Sequence, residues 1–423
     1  MTRLSVVDEI FLRTHRGLGT PIALQGLWRT ADRVDHALLA RVHDALRSGA
    51  LGRRVVRARV PGARRSWQPN VRAYPIAHAS ASPALGSAEG ILSIAELLDW
   101  ADAQGYGLDP EYGPGWRLAA AALDDGGSLV ALTCSHALAD GRALALAVDD
   151  ALGGEPAPRL NAAARESDWR DAWHQWATVL RGTAAALRHG IPRQPSAPLR
   201  DERPRSAHGT MTHSAILQCS AAEWDRAAAG QGGTPNSLFI HLVATMLWNS
   251  GFPAETIEAS LPVDTRAEPR VDNDLAMTQI AIGRADSPAT IRALARSAYE
   301  HRMSAPGGMP EELLQVIPDR WAYALSKGAG ERDILCSNIG TLPASLRTLG
   351  PHRCTGVAAR AIHPGLTAAR LPRTRLSGYL CRVADDYVLS LVSLDPDRIA
   401  SAAALRELAL RTAASAGLRA RAW

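Results

Sequence analysis

The sequence predicts an α/β protein built as two sandwich lobes of similar size. Three observations carry this reading. Strand-type and helix-type periodicities interleave along both halves, each half holds a hairpin, and a proline-rich, charge-rich stretch at 188–209 separates the halves of the 423-residue chain. A chain of this length exceeds one ordinary core. The expected division is therefore a lobe over 1–187, a linker over 188–209 and a second lobe over 210–423.

In the first half, a mixed segment runs to about Thr30. A helix fits 32–48, where Val34, Leu38, Val42 and Leu46 recur at four-residue steps. A strand is expected over 55–60, and "ILSIAELLDWA" reads as a short helix from Ser93. Two apolar runs, 116–123 and 129–134, flank the turn-rich connector "DDGGS" and read as a hairpin. A helix over 142–152 is stopped by Gly153-Gly154. Trp169, Trp173 and Trp176 share one face of a helix over 168–187, a pattern expected of core, with a binding platform as the alternative.

The second half begins with a strand over 213–219. A helix over 221–229 carries Ser220 and Glu223 as a capping box. "TPNSLFIHLVATMLWNSG" reads as a strongly apolar helix. Strands are expected over 257–263 and 276–282, then a helix over 288–303 with Ser287 as its N-cap. A short strand, 333–336, ends in "SNIG". The runs 376–383 and 387–394 form a hairpin across "ADD". A helix over 395–416 closes the chain, with Pro396 in its first turn and Gly417 as its stop.

Composition excludes several classes. With 46% hydrophobic and 21% charged residues the chain is globular, not disordered. No apolar run approaches the ~20 residues that span a bilayer, and "MTRLSVVDEIFLRTHRG" lacks a signal-peptide pattern. The expectation is a cytoplasmic protein without a transmembrane segment. The net charge is +5, with Lys327 the sole lysine. The densest basic cluster, "RRVVRARVPGARR", reads as the wet face of a half-buried strand, not as a nucleic-acid surface, although a phosphate-bearing ligand would also suit it. The five cysteines are widely spaced, without C-x-x-C. They read as buried small hydrophobes, with no disulfide framework and no metal site. No Walker A, dinucleotide or G-x-S-x-G motif occurs.

The stretch "LTCSHALADGRALALAVDD" carries the chemistry. His136 sits where a strand hands over to a loop, and Asp140 and Gly141 complete the spacing H-x-x-x-D-G. Imidazole is the natural general base near neutral pH. Asp140 can orient the ring or pair with an arginine, and Gly141 permits a backbone closed to other residues. A core histidine beside a helix-capping aspartate fits the same spacing.

Longer segments move the balance. "GPGWRLAAAALDDGGSLVALTCSHALADG" resembles the active-site passage of the superfamily of chloramphenicol acetyltransferase, nonribosomal peptide condensation domains, polyketide-associated acyltransferases and wax-ester synthase/diacylglycerol acyltransferases. "LPVDTR" at 261–266 resembles their P-V-x-x-R segment, "CSNIGTLP" their S-N-x-G strand end, and "GGTPNSLFIHLVATML" an apolar helix of the second lobe. "LSVVDEIFL" is similar to the opening of the wax-ester and polyketide-associated branches. The segments fall in the expected order and cover most of the chain.

The resemblance implies two chloramphenicol-acetyltransferase-like lobes with a tunnel between them. It implies His136 as catalytic base, Asp140 as a mainly structural residue paired with Arg266, and Asn338 near the oxyanion. Ser135, Gly141 and Ser337 would line the substrate site. The implied cosubstrate is acyl-CoA or an acyl-phosphopantetheine carrier protein, with no permanently bound cofactor. The acceptor would be a hydroxyl or amine of a small metabolite, and the expected working unit is a monomer. Ser135 replaces the first histidine of the condensation-domain H-H-x-x-x-D-G, which weakens peptide condensation specifically. A catalytically silent binding protein and a thioester hydrolase are the alternatives.

Overall fold

The computed structural model describes residues 2–79, 90–153, 167–189, 211–300, 311–328 and 330–423. From residue 190 on, the expected linker lies outside the described residues. Two seven-stranded sheets dominate. None of the described helices is long and apolar enough to cross a membrane.

The expected hairpin forms between Trp116–Leu123 and Ser128–Ser135, with Trp116 opposite Cys134. Gly126 takes a positive φ of 89° in its turn, a conformation glycine adopts without strain. Ser128–Ser135 is buried at every position. It is a strand covered on both faces, which explains its nearly continuous apolar character. The first sheet runs Thr348–Leu349, His352–Ile362, Ala23–Thr30, Ser128–Ser135, Trp116–Leu123 and Ala77–His78, with Ile91–Leu92 also on Trp116–Leu123. Helices His36–Ser48 and Gly141–Gly153 pack against one another, the second also on Ala23–Thr30.

The second sheet runs Leu275–Gly283, Thr256–Asp264, Ile334–Thr341, Leu376–Val383, Asp386–Ser393, His213–Ser220 and Ala420–Ala422. The apolar helix Pro235–Asn249 starts on a capping box of Thr234 and Ser237 and packs on this sheet. A Cβ on Gly378 would come within 2.7 Å of Val243 and 2.9 Å of Phe239, so that strand approaches the helix only as glycine.

Several expectations change. His352–Ile362 and Thr348–Leu349 come from the second half of the chain yet belong to the first sheet. The opening segment holds a helix, Val6–His15, and a central strand, Ala23–Thr30. The last helix begins at Ala402, capped by Ser401, and not at 395; Pro396 lies in a preceding turn where Asp395 binds Arg398 at 2.7 Å. Ser220 makes no side-chain cap, and Glu223 binds Arg419, so the expected capping box is absent.

The three tryptophans expected in the core are exposed: Trp169 by 75%, Trp173 by 79% and Trp176 by 43%. Their helix, Asp168–His189, buries Asp171, Ala172, Gln175 and Val179 instead. Ion pairs select that face. Asp168 binds Arg3 and Asp171 binds Arg64, at 2.8 and 2.7 Å. The basic cluster is likewise not simply a wet face. The strand is Arg53–Val56, paired with Ser66–Pro69, and Arg53 is only 4% exposed. All five cysteines are unpaired, four buried and Cys354 half-buried.

Candidate active site

The strand Ser128–Ser135 delivers His136 to a turn in which Leu138 N–H donates to the Ser135 carbonyl at 2.9 Å. His136 is 8% exposed. Its ring stacks on Phe11, centroids 3.5 Å apart and planes 11° from parallel. Burial pushes its pKa from the ordinary 6.5 down to about 4. The carbonyl of His136 itself, the nearby Asp140 carboxylate, the Asn273 side chain and the Ala139 carbonyl oppose that shift. None of these carbonyls meets hydrogen-bond geometry at Nδ1, which is buried without a partner among the described residues.

Asp140 serves two ends. Its Oδ1 accepts from the Ala143 N–H at 2.9 Å and so caps helix Gly141–Gly153. Its Oδ2 accepts from Arg266 Nη2 at 2.6 Å and from the Asp274 N–H at 3.1 Å. Both side chains of the pair are almost fully buried. Arg266 also binds Asp264 at 2.8 Å and the carbonyls of Arg270 and Asp272. The loop after Thr256–Asp264 is thereby fastened to the His136 loop, 126 residues away in sequence.

Gly141 does not take a positive φ, so its role differs from the one expected. It provides room: a Cβ there would lie 3.3 Å from Ile339. Arg142 closes the same seam, donating to the carbonyls of Ile339 and Thr341 at 3.2 and 3.0 Å. Ser135 is buried, its Oγ accepting from the Ala137 N–H at 3.4 Å. Ser337 pairs with Tyr379 in the second sheet. Asn338 is exposed and bound to Asn236 at 2.9 Å and the Gly340 N–H at 3.0 Å, with no hydrogen bond to His136. The structure thus joins Asp140 to Arg266 directly, with His136 and Gly141 on the same loop, and Gly141 lies against Ile339, the neighbour of Asn338. Two surface hollows, one against His241 and Thr412 and one against His43 and Tyr74, include none of these residues.

Three braces escape sequence reading. Asn273 donates to the carbonyls of His136 and Ala137, at 2.8 and 3.2 Å, and to Asp8 at 2.9 Å. Burial pushes the Asp8 carboxyl up, and the Asn273 bond opposes this. Arg53 lies over the Trp67 ring and donates to the carbonyls of Leu138 and Val271, at 2.6 and 2.9 Å, and to Asp272 at 2.7 Å. Phe11 covers the imidazole. The only available signal was proximity to quoted segments: Asn273 follows "LPVDTR" closely, and Phe11 lies inside "LSVVDEIFL".

Comparison with known proteins rests on structure. No family model matches the chain, and no curated protein matches its sequence. Among solved structures it is similar to the first condensation domain of the calcium-dependent antibiotic synthetase in complex with a substrate analogue, at 18% identity and a TM-score of 0.57, covering 98% of this chain and 95% of that one. The wax ester synthase/diacylglycerol acyltransferase from Marinobacter aquaeolei VT8 gives 15% identity and 0.56, covering 99% and 100%. The epimerization domain from the third module of tyrocidine synthetase B gives 14% and 0.53, covering 98% and 96%. In its fold, two sheet-rich α/β lobes, the chain belongs with the condensation-domain and acyltransferase structures that its sequence resembles.

Proposed function

We propose that the protein is an acyltransferase that moves an acyl group from a thioester, acyl-CoA or an acyl-carrier protein, to a hydroxyl or amine of a small metabolite. One observation carries the reading most. An uncharged imidazole ends a buried strand at a seam where groups from the second half, Asn273 and the Arg266 partner of Asp140, hold its loop. Such a base can meet two substrates arriving from opposite faces, through a tunnel between lobes, without opening either core. The lobes would be 1–187 and 210–423 joined by 188–209, with Thr348–Leu349 and His352–Ile362 of the second crossing into the sheet of the first, and the working unit a cytoplasmic monomer.

His136 acts as general base. Nδ1 is sealed in, which leaves Nε2 to meet the acceptor. As the acceptor oxygen or nitrogen attacks the thioester carbonyl carbon, its proton passes to Nε2. Collapse of the tetrahedral intermediate breaks the C–S bond, and the proton leaves with the thiol. Burial keeps the ring unprotonated beforehand, and the Asp140 carboxylate favours the charge that develops on it. Asn338 uses one amide hydrogen on Asn236. Its second would be free for the oxyanion. Ser135, Gly141 and Ser337 would line the approach. No permanent cofactor takes part.

The test is intact-mass and product mass spectrometry with acyl-CoA and acyl-carrier donors and a panel of alcohols and amines. Transfer that is lost in His136→Ala supports the reading. Release of free acid alone would make the protein a thioester hydrolase. Binding without turnover would make it a silent member of the fold.

A further inference from the structure

A catalytic imidazole is ordinarily aimed by a hydrogen bond at its non-reacting nitrogen. His136 has no well-formed one: Nδ1 is buried without a partner of hydrogen-bond geometry among the described residues, and its own carbonyl, the Asn273 side chain and the Ala139 carbonyl only lie close enough to raise its pKa. The ring torsion of histidine is broad and roughly two-fold, so the side chain alone does not fix the ring plane. What lies against the ring is Phe11, nearly parallel at 3.5 Å. Its helix, Val6–His15, is itself immobilised. Ser5 and Asp8 form a capping box, Arg13 binds Asp319 at 3.3 Å and the Leu314 carbonyl, and Arg65 binds Glu9. The same Asn273 amide that holds the His136 carbonyl also holds Asp8, so the ring and its cover share one anchor.

We infer that Phe11 is the positioning residue of the site: its stack sets the plane of the His136 imidazole and so the line along which the base meets the acceptor. This rests on the general-base reading above. A flat aromatic face suits both states of the ring. It stacks on the neutral imidazole and attracts the imidazolium through its π-face. It also keeps water off one side of the ring, and burial is the main cause of the depressed pKa. The other groups that act on the ring are Asp140 on the loop and Asn273 from the second half; Asp8 on the Phe11 helix, Arg53, Arg266 and Asp272 stand one contact further out, bound to Asn273, to the Leu138 carbonyl, to Asp140 and to Arg53. None of them changes in a Phe11 variant.

The experiment compares Phe11→Ala, Phe11→Leu and Phe11→Tyr with the parent by two readouts. One is the His136 titration in histidine-labelled protein by NMR, the signal assigned by its loss in His136→Gln; it needs no turnover. The other is kcat and KM against pH. Phe11→Ala should raise the His136 pKa by ~1 unit, move the acid limb of the rate profile upward equally, and lower kcat ~10-fold with KM little changed. Phe11→Leu fills the space without a flat face, so the pKa should stay low while kcat falls. Phe11→Tyr should restore both. Parent-like kcat in the Ala and Leu variants, or loss of kcat in Tyr as deep as in Ala, overturns the proposal. If the parent transfers no acyl group but the Ala titration still shifts, acyl transfer fails and the stack stands. If the parent turns over and no variant differs from it, the positioning role fails and acyl transfer stands.

Discussion

Removing the Asp140 carboxylate should destabilise the protein as a whole. In Asp140→Ala three acceptor contacts vanish: Arg266 at 2.6 Å, the Asp274 N–H at 3.1 Å and the capped Ala143 N–H at 2.9 Å. Breaking a buried ion pair by deleting one partner costs ~3–5 kcal/mol, and losing an N-cap costs ~1 kcal/mol. Arg266 keeps Asp264 and two carbonyls, which offsets part of the first term. A net loss of about 4 kcal/mol follows. Asp140→Asn keeps an oxygen for the cap and should cost about half as much. Thermal melts of parent, Asn and Ala variants, with soluble yield, give the order. Combining Asp140→Asn with Arg266→Met should cost less than the sum of the two, because neither charge is then left alone. A melting temperature for Asp140→Ala within a degree of the parent, or strict additivity in the double variant, would refute the argument that this pair holds the loop.

His136→Ala should lower turnover by ~10² or more while the melting temperature changes little in comparison with Asp140→Ala; near-normal turnover sinks the assignment. The folded His136 pKa of about 4 lies below the ordinary 6.5, so the unfolded chain binds this proton first as pH falls. The parent should therefore lose stability between pH 6.5 and 4, by roughly 3 kcal/mol from this group. His136→Gln should show a shallower decline over that window, and equal slopes would contradict the burial. Asn273→Leu leaves the His136 carbonyl and Asp8 without their donor; it should lower both stability, by ~1–3 kcal/mol, and kcat, measured by melts and by the transfer assay.

Much of the site's first layer was written locally. The hairpin, the buried strand that delivers His136 and the helix beginning at Gly141 all follow from runs of 8 to 13 residues with a turn or cap beside them. The braces were not, because each is a meeting of distant segments. Arg53 reads as one more arginine in a basic run until Leu138, Val271 and Asp272 surround it. Phe11 is an ordinary aliphatic-helix aromatic until His136 lies beneath it.

By itself the sequence determined the interleaved strands and helices and the H-x-x-x-D-G loop, and, through resemblance, pointed to the fold that the structure shows. Tertiary structure decided which strand joins which sheet, which face of a helix turns inward, and what surrounds His136. Periodicity states that a helix has an apolar stripe, but Asp168 and Asp171 found Arg3 and Arg64, and the tryptophans were turned to solvent. The strand His352–Ile362 carries arginines and a glycine and gives no clean alternation. It sits beside Ala23–Thr30 because Arg360 finds Gln25 and Asp102 within the fold. Local propensity acts over a few residues, whereas these choices depend on partners hundreds of residues away, whose positions exist only once the chain has folded.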